Sequence, residues 1–428
     1  MNITIHHAGL LTSWRACLFF AGLVLIPCAL PRGLAAEPSE ERPAERVYDL
    51  KGIRVKASAP ILVTSNTTKV NWPPGKDLLC YPKMCVLPNK EILMRFWLGG
   101  DTMGLAGEGK QGFVWSKDQG LSWSDPQFIE KNSAMVPLVL PNGDLALLPY
   151  TLSPHPNGMG GSYYLTAKDT HEVRWMKEGV VFSGWPRPYR SLRPGQPGVA
   201  GFVTHGPVVK LKDGSYLVTS YGHFNDDKEN SHSLVAAKSD DGLNWKFVSV
   251  IYDGKEAPPG DYRWCHGGSE AALARLKDDR LMCVFRKDDA VYGQSWSSDE
   301  GKTWTKPIEV KLRLAGVEPT LAVLKGGILA LAHGREIGLA FNLDGAGLDW
   351  QDISMKGHHN FYHPEDAPKA EDLKNDPKGL KYPYGWGTSS YPDIIALDDT
   401  HFLYAYDRWL ERGSSVWVVR LSIEPKSP

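Results

Sequence analysis

Net charge is nearly absent from this sequence of 428 residues, because 48 Lys and Arg side chains stand against 49 Asp and Glu side chains. A nucleic-acid partner, bound through the release of counterions, is therefore not expected. A long helical period is also missing. The 43 glycines, 31 prolines and 15 tryptophans are instead typical of short strands joined by turns. This composition favours one large all-β domain over two or three smaller domains.

Long apolar runs are absent as well, with one exception near the N-terminus. The run "ACLFFAGLVLIPCAL" (16 to 30) follows Arg15 and precedes the small-residue stretch "PRGLAAEP". It is too short and too interrupted for a membrane span, and it predicts a secretory signal peptide over residues 1–36. We therefore expect a secreted or periplasmic protein without a membrane anchor, in which residues 37–428 form a single domain.

Cysteine is scarce, and only four of the six cysteines follow the predicted signal peptide: Cys80, Cys85, Cys265 and Cys283. An exported chain can hold a disulfide, but the sequence does not define the pairing. The spacing C-x4-C is a weak zinc signal, and "GHHNFYH" (357 to 363) matches no standard zinc pattern. The sequence therefore predicts neither a metal nor another cofactor.

A polar turn with Asp, Gly and Trp at fixed spacing recurs along the chain. The clear copies, with Asp118, Asp240 and Asp299, are "SKDQGLSW" (116 to 123), "KSDDGLNW" (238 to 245) and "SSDEGKTW" (297 to 304), and weaker copies are "AKDTHEVRW" (167 to 175) and "FNLDGAGLDW" (341 to 350). In such a turn Asp accepts hydrogen bonds from backbone N–H groups and Gly supplies a left-handed position. The Trp is expected to pack between neighbouring sheets.

A second repeat consists of an apolar run, a Leu, a tight polar turn and another apolar run. Its six copies are "YPKMCVLPNKEILMRFW" (81 to 97), "AMVPLVLPNGDLALLPY" (134 to 150), "HGPVVKLKDGSYLVTSY" (205 to 221), "EAALARLKDDRLMCVFR" (270 to 286), "EPTLAVLKGGILALAHG" (318 to 334) and "YPDIIALDDTHFLYAYD" (391 to 407). Asn-Gly, Asp-Gly and Gly-Gly predict type I′ hairpin turns. Six hairpins interleaved with the polar turns predict a six-bladed β-propeller, closed by pairing of residues 414–423 with strands within 54–65.

Equivalent positions of the six hairpins are expected to surround one channel mouth, since each first strand begins there. These mouth positions are Tyr81, Ala134, His205, Glu270, Glu318 and Tyr391. The second strands return to the same face and add Arg95 or Trp97, Arg286, the region of Arg335, and Asp407 or Arg408. The polar turns emerge on the opposite face, so we do not expect them to contact substrate.

These features resemble those of the sialidase (neuraminidase) superfamily, whose Asp-box turns and propeller span essentially the whole mature chain. The segments that carry the resemblance are "SEAALARLKDDRLMCVFR", "HGREIGLAFNLDGAGLDW" and "SSYPDIIALDDTHFLYAYD". The resemblance implies a catalytic role for Glu270, carboxylate binding by Arg286 and Arg335, and a nucleophilic role for Tyr391. It implies an exo-acting glycoside hydrolase with a retaining mechanism.

The chemistry is consistent with these residue types. A sialoside carries its own carboxylate, which would repel an anionic nucleophile, whereas a phenol avoids that repulsion if a neighbouring carboxylate takes its proton. Arginines bind a substrate carboxylate through bidentate, charge-assisted hydrogen bonds.

The first hairpin departs from the family pattern, because no Arg precedes Pro82 and Tyr81 stands near its place. Arg95 and Lys83 are candidate replacements for this carboxylate anchor. The general acid has no clear match either, and Asp101 is the better candidate, with Glu108 second. The predicted substrate is terminal sialic acid or a related acidic sugar, and a sugar without a carboxylate is the alternative.

Two further readings remain open from the sequence. His205 is a possible acid or base of a polysaccharide lyase or a rhamnosidase-type enzyme. A non-catalytic carbohydrate-binding propeller is the other reading. We expect a monomer that contacts its glycan through Tyr81, His205, Glu318, Arg95 and Asp407. A rim insertion at about 354–388 is expected to add a sugar subsite through Tyr382, Tyr384 and Trp386.

Overall fold

The computed structural model describes residues 42–66, 78–99, 110–129, 134–168, 170–189, 201–228, 231–257, 266–287, 291–310, 312, 316–334, 337–367, 387–410 and 413–426. The chain divides into two units, Met1–Arg42 and Pro43–Pro428, and the second unit is described below. The predicted signal peptide lies outside the described residues. Within the described ranges, no helix is long and apolar enough to cross a membrane.

The described part of the chain contains 28 strands, one α-helix and three short 3₁₀ helices, Gly254–Glu256, Lys325–Gly327 and Pro364–Asp366. The first twelve strands are β1 (Glu45–Asp49), β2 (Ile53–Ser58), β3 (Ile61–Asn66), β4 (Leu79–Val86), β5 (Ile92–Leu98), β6 (Lys110–Ser116), β7 (Gln127–Ile129), β8 (Ala134–Val139), β9 (Leu145–Pro149), β10 (Thr151–His155), β11 (Gly158–Thr166) and β12 (Val173–Ser183). The next nine are β13 (Phe202–Lys210), β14 (Tyr216–Gly222), β15 (Ser231–Ser239), β16 (Asn244–Tyr252), β17 (His266–Gly267), β18 (Ser269–Arg275), β19 (Leu281–Arg286), β20 (Tyr292–Ser297) and β21 (Ile308–Val310). The remainder are β22 (Thr320–Val323), β23 (Leu329–His333), β24 (Gly338–Asn342), β25 (Gln351–Ser354), α1 (Met355–Tyr362), β26 (Asp393–Ala396), β27 (His401–Leu410) and β28 (Gly413–Pro425).

All six predicted hairpins are present as antiparallel strand pairs: β4 with β5, β8 with β9, β13 with β14, β18 with β19, β22 with β23, and β26 with β27. The predicted type I′ turn is wrong at Asn142-Gly143 and at Asp213-Gly214, where only the glycine has a positive φ, whereas Gly326 and Gly327 both have positive φ, of 75° and 90°, as a type I′ turn requires. In the second hairpin the N–H groups of Leu140 and Gly143 bond to the carbonyls of Asp144 and Leu140, and only Gly143 has a positive φ, of 89°. This is a three-residue loop that ends in a left-handed bulge, and it twists the strands as a two-residue I′ turn would.

The all-β class is confirmed, but the prediction of a six-bladed β-propeller is wrong. The described strands form five hydrogen-bonded sheets, of which three have four strands each, one has six and one has ten. The ten-stranded sheet arises because β12 pairs with β11 on one side and, in parallel, with β16 on the other. β10 also pairs with β13. Strands expected in two separate blades are thus joined into one sheet.

The first strands of the six hairpins surround a central space. In the order β4, β8, β13, β18, β22 and β26 each contacts the next, and β26 contacts β4 again. The hydrophobic core lies between neighbouring strand groups: one cluster joins Leu273 and Phe285 to Leu217 and Tyr221, for example. This packing holds the starts of the six first strands close together.

The ends of the described chain meet in the six-stranded sheet. β28 pairs with β27 on one side and with β2 and β3 on the other, from Ile53↔Pro425 to Asn66↔Ser414. The predicted pairing of the last strand with strands near the N-terminus is therefore confirmed.

The polar turns form as predicted, with one change of residue. Asp118 accepts hydrogen bonds from Ser116 Oγ and from the N–H and Oγ of Ser122. In the second copy Asp241, rather than Asp240, accepts the equivalent bonds from Leu243 and Asn244. The register Ile92↔Ser116 and Leu98↔Lys110 places the first turn at the hairpin-turn end of its sheet, opposite the start of β4.

Helix α1 occupies the start of the predicted rim insertion. Ser354 caps it by accepting a hydrogen bond from the N–H of Gly357. His358 bonds to the hydroxyl of Tyr48 and the carbonyl of Ser58, at 2.8 Å in both cases. The histidines of "GHHNFYH" thus dock the helix onto the sheet. Tyr382, Tyr384 and Trp386 lie outside the described residues.

Cys85 and Cys283 are free thiols, the Sγ of Cys80 lies 3.8 Å from the carbonyl oxygen of Leu78, and Cys265 lies outside the described residues. Within the described ranges, no group of three or more His, Cys, Asp or Glu side chains is arranged to hold a metal ion.

Candidate active site

Three of the six mouth positions share an unusual backbone conformation. Tyr81, Glu270 and Glu318 have positive φ values of 56°, 41° and 40°, although none is glycine. The strand register shifts beside Tyr81 and Glu270, between Cys80 and Lys83 and between Ser269 and Ala271. Such bulges redirect side chains, and strain of this kind is concentrated at functional sites. The side chains of Tyr81, Glu270 and Glu318 therefore leave the regular alternation of their strands.

The carboxylate of Glu270 lies at the centre of the site. Tyr391 donates its hydroxyl to Oε1 of Glu270 at 2.9 Å. Arg286 Nη1 lies 3.1 Å from Oε1 and 3.3 Å from Oε2. The backbone N–H of Glu318 donates to Oε2 at 3.1 Å. The structure thus brings together four of the predicted site residues, Glu270, Arg286, Glu318 and Tyr391, from three different hairpins.

The surroundings of Glu270 keep it ionised. Burial alone would raise its pKa, but the charge of Arg286 and hydrogen bonds from Glu318 and Tyr391 outweigh burial, so the pKa is lowered. An ionised carboxylate bonded to a phenol is able to accept the phenolic proton. The pair has the geometry of an activated nucleophile and its base.

Tyr81 lies beside Tyr391, with ring centroids 4.8 Å apart and an interplanar angle of 76°. The backbone N–H of Tyr81 donates to Asp407 Oδ2 at 3.3 Å. Asp407 also accepts bonds from Thr388 and Ser389, and burial raises its pKa to about 6. Asp407 therefore holds the backbone of the first mouth position and the segment that precedes Tyr391.

A buried group of charges lies just beyond the mouth positions. Lys83 forms an ion pair with Glu318, which is fully buried, and its Nζ lies 3.8 Å from Asp393 Oδ1. Burial raises the pKa of Asp393 to about 6. The sequence analysis did not identify Asp393, although it and Lys83 each stand two residues after a mouth tyrosine. This shared spacing from the two tyrosines is the sequence feature from which the pairing of Lys83 with Asp393 could have been predicted.

A cavity of about 360 Å³ extends along the first strands from this charged group. Lys83, His205, Glu318 and Asp393 line its polar part, and side chains such as Val136 and Ile394 line the remainder.

His205 is enclosed by its neighbours. Its Nδ1 lies 3.4 Å from the carbonyl of Ala271 and its Nε2 lies 3.6 Å from Glu318 Oε1. Burial lowers its pKa, which favours the neutral imidazole. Arg95, predicted as a carboxylate anchor, is also buried, and burial lowers its pKa to about 10. Neither side chain has an exposed surface at the mouth.

Two predicted site residues lie outside the described residues, namely Asp101, the candidate acid, and Arg335, the candidate third anchor. The second-choice acid, Glu108, also lies outside them, as does the side chain of Ala134.

Comparison with solved structures shows the fold. A protein of unknown function from Dyadobacter fermentans has a TM-score of 0.62 at 15% identity, covering 88% of this chain and 100% of that chain. The Trypanosoma rangeli sialidase in complex with sialic acid has a TM-score of 0.54 at 14% identity, covering 87% of this chain and 59% of that chain. The Penicillium chrysogenum alpha-L-arabinanase complexed with arabinobiose has a TM-score of 0.52 at 13% identity, covering 86% and 98% respectively. The chain thus has a glycosidase-type fold and spans little more than half of the trypanosomal enzyme.

No curated protein matches the sequence. The family model of the BNR repeat-like domain matches residues 108–402, well over half of the chain, and the resemblance to sialidase-like proteins agrees with it. The chain therefore belongs to the BNR repeat-like domain family.

Proposed function

We propose that this protein is an exo-acting glycoside hydrolase that retains the anomeric configuration and removes a terminal sialic acid or a related acidic sugar. The observation that carries the proposal is the 2.9 Å hydrogen bond from the Tyr391 hydroxyl to Glu270 Oε1, at the mouth of a glycosidase-type fold. The predicted signal peptide supports the further proposal that the protein acts after export.

In the proposed first step, the Oη–H bond of Tyr391 breaks and its proton passes to Oε1 of Glu270. The phenolic oxygen forms a bond to the anomeric carbon while the glycosidic bond breaks, and the leaving oxygen takes a proton from the acid, for which Asp101 is the candidate. A water molecule then attacks the anomeric carbon while the bond from that carbon to the Tyr391 oxygen breaks. The water gives a proton to the carboxylate of that acid, and the released Tyr391 oxygen takes its proton back from Glu270. Two displacements at one carbon retain its configuration.

The acidic substrate is supported by the resemblance, which assigns carboxylate binding to Arg286 and Arg335. In the structure Arg286 is 95% buried and bonded to Glu270, so it also stabilises the ionised base. The alternative hypothesis of a lyase that uses His205 as acid or base receives no support, because this histidine is buried and faces Ala271 and Glu318.

A panel of acidic and neutral glycosides tests the proposal, with product analysis by proton NMR for wild type, Tyr391→Phe and His205→Ala. We expect the first-formed sugar to retain its anomeric configuration and Tyr391→Phe to lose turnover by about 10³-fold or more. A slow fluorinated substrate should add one glycosyl residue to the peptide containing Tyr391, as detected by mass spectrometry.

Three other outcomes would each contradict the proposal. An inverted product excludes a covalent intermediate. An unsaturated product that absorbs in the ultraviolet indicates a lyase. Glycan binding without turnover, unchanged in Tyr391→Phe, indicates a carbohydrate-binding protein.

A further inference from the structure

Glu318 shares its strained backbone with the proposed base. Glu270 is the second residue of β18 and Glu318 lies two residues before β22, and both have φ near 40°. Strain at a residue other than glycine persists only where surrounding interactions enforce it. For Glu318 the backbone conformation has a visible result, because it directs the N–H of Glu318 at Oε2 of Glu270, 3.1 Å away.

The side chain of Glu318 explains what enforces this conformation. It is fully buried and forms an ion pair with Lys83, which belongs to the strand pair that carries Tyr81. Lys83 also faces Asp393, in the strand that follows Tyr391. The ion pair therefore joins three strands of the ring, β4, β22 and β26.

The two oxygens of Glu270 are differently occupied. Arg286 contacts both oxygens, the Glu318 N–H binds Oε2, and the Tyr391 hydroxyl binds Oε1. Without the bond from the Glu318 N–H, Arg286 Nη1 is the remaining contact of Oε2, at 3.3 Å, and rotation about the terminal torsion of Glu270, which is intrinsically broad, is less restricted. Rotation would remove Oε1 from the line of the Tyr391 hydroxyl.

We propose that Glu318 is a positioning residue, and that its buried ion pair with Lys83 holds the backbone N–H that orients Glu270 toward Tyr391. This inference rests on the proposed function for the roles of Glu270 and Tyr391. The orientation of the Glu270 carboxylate by the ion pair of Glu318 with Lys83 can, however, be measured without any substrate.

The test uses Glu318→Gln, Lys83→Met and the double variant in the full-length protein. Lys83→Met leaves a buried carboxylate without its counter-charge and is the variant most at risk of misfolding. The double variant removes the charge of Glu318 together with that of Lys83. The carboxylate of Asp393 then loses its counter-charge, but burial already raises the pKa of Asp393 to about 6, so the double variant is the milder of the two Lys83 variants. Gly301→Ala is the matched control, because a methyl group there meets Leu217 at 2.9 Å in a left-handed turn on the other face.

The substrate-free measurement is the ¹³Cζ resonance of Tyr391 in tyrosine-labelled protein, assigned by its absence in Tyr391→Phe. We expect Glu318→Gln and the double variant to shift this resonance, because the hydrogen bond to Glu270 changes. Gly301→Ala should lose stability and leave the resonance in place. An unshifted resonance in both Glu318→Gln and the double variant overturns the proposal, whatever happens to turnover.

The kinetic measurement applies once a substrate is known. We expect Glu318→Gln to lower kcat by about 10-fold to 100-fold with little change in KM, since misalignment of a catalytic group by about 1 Å has effects of this size. The acid limb of the pH profile should move to higher pH, because Glu270 loses a donor to its ionised form. The double variant should be no worse than the single one.

Failure of the two proposals is distinguishable. If wild type cleaves no glycoside while the Tyr391 resonance still shifts in Glu318→Gln, the proposed function fails and the positioning role stands. If wild type is active and Glu318→Gln keeps both its kcat and the resonance of Tyr391, the positioning role fails and the function stands.

Discussion

Carboxylates at the two ends of the sheets are held in contrasting ways. In the polar turn Asp118 is partly exposed and binds Ser116 and Ser122, within four residues of itself. At the mouth Glu270 is 95% buried and binds residues 286, 318 and 391. All of these partners of Asp118 lie in one short segment, whereas the partners of Glu270 come from three hairpins and meet only when these hairpins have packed together. The first arrangement stabilises a sheet, and the second forms the pair to which we assign the proposed catalytic role.

The largest effect on activity is expected from a substitution of the proposed base, Glu270. Glu270→Gln keeps the size of the side chain but cannot take a proton from Tyr391, so we expect kcat/KM to fall by about 10²-fold to 10⁴-fold. Steady-state kinetics together with circular dichroism separates this loss from unfolding. A variant that retains most of its activity would show that Glu270 is a structural member of the mouth.

Helix α1 offers a pH-dependent test of stability away from both regions. Burial lowers the pKa of His359, which bonds Tyr406 and Asp366, to about 4. The folded state therefore prefers the neutral ring, and stability present above pH 6.5 is lost as pH falls toward 4, by up to about 3 kcal/mol for one histidine. Urea unfolding of wild type and His359→Gln between pH 7.5 and 4.5 measures the difference. Parallel curves would contradict the assignment.

The electrostatics of the mouth can be tested through Arg286. Since the proposed mechanism requires ionised Glu270, the acid limb of kcat/KM should lie below the ordinary glutamate pKa of about 4.3. Arg286→Gln removes the largest influence that lowers the pKa of Glu270, and burial then raises it. We expect the acid limb to move above about pH 4.3, so that activity near pH 5 falls more than activity near pH 7. If the acid limb did not move in Arg286→Gln, the group that titrates there would not be Glu270.

The smallest effect is expected at the polar turns, where adjacent residues form a matched pair. Asp241 accepts bonds from Leu243 and Asn244, so Asp241→Ala should lower the free energy of unfolding by about 1 kcal/mol. Asp240→Ala should change it by less than about 0.5 kcal/mol. Thermal and urea unfolding measure both, with kcat unchanged in each. Equal losses would mean that the turn depends on charge rather than on these bonds.

This contrast also explains how much the sequence could predict. The hairpins and polar turns were identified because their determinants, such as Leu140 and Gly143, lie a few residues apart and recur. The pairing of Glu270 with Tyr391 followed from equivalent positions in the repeats, together with the resemblance, although 121 residues separate them.

Three other features of the structure could not be predicted, because no repeated pattern of neighbouring residues in the sequence indicates them. The parallel pairing of β12 with β16, which joins two groups of strands into one sheet, depends on how far β12 extends beside its neighbour. The choice of Asp241 over Asp240 depends on the direction of each side chain within one turn. The ion pair between Lys83 and Glu318 required knowledge of which neighbouring strands face each other across the central space.

The pairing of β28 with β2 and β3 has a consequence for biosynthesis. Ile53 finds its partner only when Pro425 has been made, and at about 5 to 20 residues per second this takes roughly 20 to 75 s. Until then the nascent chain carries unpaired strand edges on its earliest segment. The protein is expected to need protection from aggregation for that interval, and trimming a few residues from its last strand should trap it in an open, aggregation-prone form.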